Sequence, residues 1–144
     1  MINLAEMSDS AVTPKLLTEG EEALVEITKV DNHLEDDKPW LKVVLSDVNV
    51  EANTYDIHEF IDLGLRIPPF VNENDAGEVA KFKNRVNNRL KSFFETFGID
   101  GDDRNVPEAW EGKQGTIIAK VVASKDDYPD KNQVKRYAGP ASGM

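Results

Sequence analysis

Residues 75–98 read DAGEVAKFKNRVNNRLKSFFETFG, and the spacing of the apolar positions in this stretch decides how the rest of the chain is arranged. Val79, Phe82, Val86, Leu90, Phe93 and Phe97 recur at steps of three and four, which places them on one stripe of an α-helix. Asn74 or Asp75 can accept the first free amides, and Gly98 can take the left-handed conformation that closes a helix. Lys81, Arg85 and Arg89 form a second stripe at steps of four, read as a solvated basic face. A helix with one apolar stripe has to bury it, and the flanking sequence supplies strands to bury it against.

Upstream, residues 23–30 hold Val25, Ile27, Thr28 and Val30, β-branched side chains that fit a pleated surface. Residues 31–39 read as an acidic loop containing His33, Asp36 and Asp37. Residues 40–48 alternate, with Leu41, Val43 and Leu45 on one face and Trp40, Lys42, Val44 and Ser46 on the other. After a turn at 49–53, residues 54–63 read as a third strand in which Tyr55, Ile57 and Ile61 oppose His58 and Phe60. Pro68 and Pro69 exclude a strand from the connection at 64–74. Downstream of the helix, residues 115–123 and 134–137 read as strands four and five, joined by a polar loop at 124–133. The expected fold is mainly β with one long helix, in the order β-β-β-α-β-β. That is the wiring of the five-stranded Greek-key barrel of oligonucleotide-binding (OB) domains, whose sheet face and two loops stay free for a ligand. It is expected to occupy residues 18–138, with a flexible acidic arm at 1–17 and a flexible end at 139–144.

The chain has 144 residues, 40% apolar and 31% charged, enough for one domain with a core. Without cysteine it has no disulfide, thiolate ligand or sulfur nucleophile. With no apolar run long enough for a membrane span and no leader-like start, it reads as soluble and intracellular, with no membrane partner. The net charge of −10 opposes binding to a polyanion, but the charge is uneven. Residues 23–77 carry −8, whereas the helix at 78–97 and residues 113–144 each carry +3. A local basic groove on an acidic body is therefore compatible with the sequence.

No catalytic arrangement is legible. His33 and His58 are the only histidines, and they lack metal-ligand spacing. Asp100, Asp102 and Asp103 do not meet the spacing of a calcium loop, and neither a phosphate-binding glycine loop nor a nucleophile elbow occurs. The expectation is a protein that is not an enzyme and has no metal or other cofactor.

Three short motifs carry a resemblance. Thr18-Glu19-Gly20-Glu21 leads into the first strand, Trp110-Glu111-Gly112-Lys113 leads into the fourth, and residues 128–137, YPDKNQVKRY, cross the last loop and strand. Over residues 17–137 the chain resembles a family of small bacteriophage proteins of replication and recombination modules, once catalogued as a domain of unknown function and regarded as single-stranded-DNA-binding-like. The resemblance implies an OB-type fold, single-stranded DNA as ligand, and phage replication or recombination proteins as further partners. It also implies the cytoplasm of an infected bacterial host as location, and it leaves room for a homo-oligomer. Many single-stranded DNA-binding proteins end in an acidic tail that recruits partners, whereas this chain ends Gly139-Pro140-Ala141-Ser142-Gly143-Met144. Either that recruitment is absent or the acidic arm performs it.

Binding a single strand without sequence preference takes aromatic faces for bases and cations for phosphates on one surface. Candidate platforms are Trp40, Tyr55, Phe60, Tyr128 and Tyr137, of which Trp40 leads a strand whose next outward residue is Lys42. Lys120, Lys125, Lys131, Lys135 and Arg136 supply cations from the last hairpin, and His58 is a candidate hydrogen-bonding group. Trp110, between helix and strand, reads as a cover for the end of the barrel. The rival expectation is an acidic protein-interaction module or a DNA mimic acting on a host or phage protein. It would use Asp31, Glu35, Asp36, Asp37, Asp56, Glu59 and Asp62.

Overall fold

The computed structural model describes residues 1–124 and 129–140. A short helix α1 (Leu4–Asp9) precedes β1 (Glu22–His33), β2 (Trp40–Asp47), β3 (Ile57–Phe60), the long helix α2 (Ala76–Phe97), β4 (Gln114–Val122) and β5 (Lys131–Pro140). Asp75 caps α2 by accepting from the Gly77 and Glu78 amides, and Gly98 closes it at φ +64°. The strands form one antiparallel sheet in the order β3-β2-β1-β4-β5, so the protein is a mixed α/β fold of an open five-stranded sheet and one long helix.

The closed barrel expected from the element order is not found. β3 is four residues long, against ten expected, and no backbone ladder joins it to β5. Side chains cross that seam instead. Glu59 on β3 accepts from the Val134 amide of β5 at 3.3 Å and from Arg89 of α2 at 3.0 Å. Arg89 also donates to the Val134 carbonyl at 3.0 Å and lies 5.0 Å over the Tyr137 ring. The basic stripe is therefore not wholly solvated, because one of its three members is part of the seam.

The expected arm is also shorter than residues 1–17. The Lys15 amide donates to the Asn53 carbonyl and its own carbonyl accepts from the Tyr55 amide, while the Leu17 amide and carbonyl are both bonded to the Asn132 side chain. Residues 15–17 thus tie the approach to β3 to the start of β5, and Leu17 is buried. At the other terminus, β5 runs through Pro140, and the remaining four residues of the expected loose end lie outside those described.

The core is the concave side of this sheet under α2. Val25, Ile27, Val43, Leu45, Ile57, Ile117 and Val134 face inward and meet Phe93 and Phe97 of the helix. Trp110, expected to cover the end of a barrel, is buried in the core of the open sheet. Its ring lies 5.3 Å from Phe93 and its indole N–H donates to the Asp103 carbonyl at 2.8 Å. A smaller cluster of Val71, Phe82 and Val86 packs the connection at 64–74 onto the first half of α2.

Candidate nucleic-acid interface

The outer face of β1, β2 and β3 is built by one irregularity. A bulge at Thr28 shifts the β1–β2 register between Ile27 and Lys29, after which Lys29, Asp31 and His33 stand opposite Val44, Lys42 and Trp40. β1 thus continues through residues expected to be loop, and its alternating side chains share the outer face of Trp40 and Lys42. On the other side of β2, Lys42 pairs with Phe60 and Val44 with His58.

This registration assembles an aromatic row. The His33 and Trp40 rings stack at 4.0 Å and 10°, and Phe60 lies 6.0 Å from Trp40 at 48°. Trp40 remains 37% exposed and Phe60 64%, large apolar rings that the core does not use. His33 Nδ1–H donates to Asp36 Oδ2 at 2.9 Å, so the loop after β1 orients the ring that backs Trp40.

The row continues toward the seam. Phe60, His58 and Asp56 border a depression of about 250 Å³ with Lys131 and Gln133 of β5. Adjoining it, Tyr55, His58, Pro129, Lys131 and Asn132 line an open, mostly apolar groove of about 880 Å³. Tyr55 precedes β3 rather than belonging to it, and is exposed at the groove.

Charge on this surface is mixed. Lys29 and Lys42 both reach Asp31, at 3.5 and 3.4 Å. Partial desolvation opposes ionisation of Asp31, but the hydrogen bonds and charges of Lys42 and Lys29 outweigh it and hold the carboxyl below its usual range. Lys131 has no ion pair among the described residues.

Of the residues expected to bind nucleic acid, Trp40, Lys42, Tyr55, His58 and Lys131 are brought to this continuous surface. Lys120 is partly buried on β4 opposite Gln133. Lys135 is held by Glu19 at 3.3 Å, and Arg136 lines a separate depression with Asn88 and Ser92 of α2. Tyr137 is no base platform. The β4–β5 register shifts between Val134 and Arg136, so that Asn132, Val134 and Tyr137 point inward, and Tyr137 is buried with its ring 5.5 Å from Phe93. Lys125 and Tyr128 lie outside the described residues. His33 is the member that strand alternation missed, because its phase depends on the bulge.

Among the described residues no group of three or more His, Asp or Glu is placed to hold a metal ion, and no helix is long and apolar enough to cross a membrane. No protein-family model matches the chain, and no curated protein matches it.

Proposed function

We propose that this chain binds single-stranded DNA without strong sequence preference, on an OB-type scaffold, as a non-catalytic component of a phage replication or recombination system. The observation that carries the reading is the outward row of His33, Trp40 and Phe60, continuous with the groove at Tyr55 and Lys131. Every base has a π face, so such a row holds bases of any identity, each stack contributing about 1–3 kcal/mol. Lys131 borders the path and meets a phosphate, while Lys42 beside Trp40 is held by Asp31. The strand order and the helix between β3 and β4 support the OB-type reading, with the seam held by side chains in place of the last ladder. The phage setting rests on the motif resemblance over residues 17–137.

The decisive experiment is a titration with fluorescently labelled poly-thymidine at low and moderate salt, with a duplex control and Trp emission followed in parallel. Salt-sensitive binding to the single strand, quenched emission, and loss of both with Trp40→Ala are expected. No binding at low salt overturns the proposal.

One observation favours a second reading. Lys42, Lys135 and Arg89 are each matched to a carboxylate of the chain itself, on a chain whose net charge is −10. An acidic module that docks on a basic host or phage protein, or mimics the charge of DNA, is the function that remains if the titration fails.

A further inference from the structure

Residues 1–11 hydrogen-bond only within themselves among the described residues, and no residue of α1 is buried. Ile2, Leu4 and Met7 are 79%, 74% and 62% exposed. Leu4 and Met7 lie three apart, on one side of α1, and Glu6 and Asp9 are the only charged side chains in residues 1–14. Asn3 caps the turn through the Glu6 amide, so the segment is preformed while its apolar side chains stay exposed. The body of the fold also carries a counterpart. Leu63, Gly64 and Leu65 of the connection and Lys83, Val86 and Asn87 of α2 border an open groove of about 270 Å³. Leu65 is 67% exposed, and neither Arg66 nor Lys83 has an ion pair among the described residues.

We infer that the α1 arm of one copy docks in the Leu65–Lys83 groove of a second copy. The arm sets apolar side chains beside carboxylates, and the groove sets Leu63, Leu65 and Val86 beside Lys83, with Arg66 next to Leu65 along the chain. Both stand unsatisfied within a single chain. An amphipathic helical turn laid in an apolar groove is a recurrent mode of recognition, with charges at the rim setting orientation and partner. The contact joins two different surfaces, so it is heterologous. Two copies close on each other if the geometry is reciprocal, and otherwise the contact propagates along a row of copies. The inference does not depend on the nucleic-acid reading, because it concerns the protein alone.

Sedimentation velocity over a concentration series tests it, using the full-length chain and two variants. Leu4→Asp with Met7→Asp removes the arm's apolar contacts, and Arg66→Glu with Lys83→Glu reverses the charge at the groove and next to it. All four positions are exposed, and circular dichroism establishes that both variants fold. Wild type is expected to associate as concentration rises, and each variant to need about tenfold more protein or greater to do so. The equimolar mixture of the two variants is decisive. One retains an intact groove and the other an intact arm, so the mixture forms a heterodimer that neither forms alone. A wild type that stays monomeric throughout, either variant associating like wild type, or a mixture no better than its components overturns the inference. The first of these results leaves the arm to its own chain or to a different protein.

Discussion

Arg89 Nη2 donates to Glu59 Oε1 at 3.0 Å, and through this pair the long helix holds one edge of the sheet against the other. The Glu59 side chain is 11% exposed and that of Arg89 41%, so the carboxylate is the member that depends on its partner. Arg89→Ala is expected to cost about 2 kcal/mol, below the cost of breaking a fully buried pair because the guanidinium is partly in water. Urea unfolding followed by Trp emission measures it, and an unchanged midpoint would show that the seam contributes nothing to stability.

At Gly115 of β4 the end of α2 lies tight against the sheet. A Cβ there would stand 2.6 Å from the Thr96 carbonyl oxygen, a backbone atom of the helix that cannot swing aside. Thr96 also accepts from the Gly139 amide through its hydroxyl at 3.1 Å, so displacing the helix end disturbs β5 as well. Gly115→Ala should therefore destabilise by about 1–3 kcal/mol, the usual range for overpacking. Thermal unfolding of the variant checks this.

Tyr137 gives the protein an alkaline limit. Burial, and then the Glu59 carboxylate, push its phenol far above the ordinary range, with Arg89 acting the other way. A group whose folded pKa is raised contributes stability that is complete below its unfolded value and lost as pH rises past it. The loss begins near pH ~10, at a slope of at most about 1.4 kcal/mol per pH unit. Tyr137→Phe should lose this portion of the alkaline slope. Urea midpoints from pH 8 to 11 for both proteins decide the point.

Lys131 and Lys135 were equivalent in the sequence and are not equivalent in the fold. Lys131 borders the groove without an ion pair among the described residues, whereas Lys135 is bonded to Glu19. Under the proposed function, Lys131→Ala lowers the slope of log affinity against log salt by about one, and Lys135→Ala leaves it unchanged. Filter binding at four salt concentrations separates them. Equal slopes for wild type and Lys131→Ala would remove Lys131 from the interface.

What the sequence could disclose follows from how local each signal is. The helix was legible from its stripe, its Asp75 cap and its Gly98 stop, because all three act within a few residues. The inward positions Leu41, Val43 and Leu45 of β2 were legible from alternation. The end of β1 was not, because a bulge at Thr28 resets the phase and turns Asp31 and His33 from apparent loop into the outer face. The same mechanism misassigned Tyr137. An irregularity in the β4–β5 pairing between Val134 and Arg136 gives inward positions 132, 134 and 137, a spacing that alternation cannot anticipate. The seam was beyond reach for another reason. Glu59, Arg89 and Val134 are separated by 30 and 45 residues, and nothing local marks a carboxylate on a short strand as a bridge rather than a surface charge.

Glu59 also has a consequence for what the protein does not do. An unladdered strand with free amides and carbonyls invites a strand of another molecule, and an inward-pointing charge on a very short strand is one of the ways proteins discourage such pairing. β3 has four residues and carries that charge at its third, facing inward and already bonded to two partners. A chain gathered at high local density along a polymer would meet many identical edges. The carboxylate that joins the sheet to its own helix is thus also an inward charge of the kind that discourages edge-to-edge pairing.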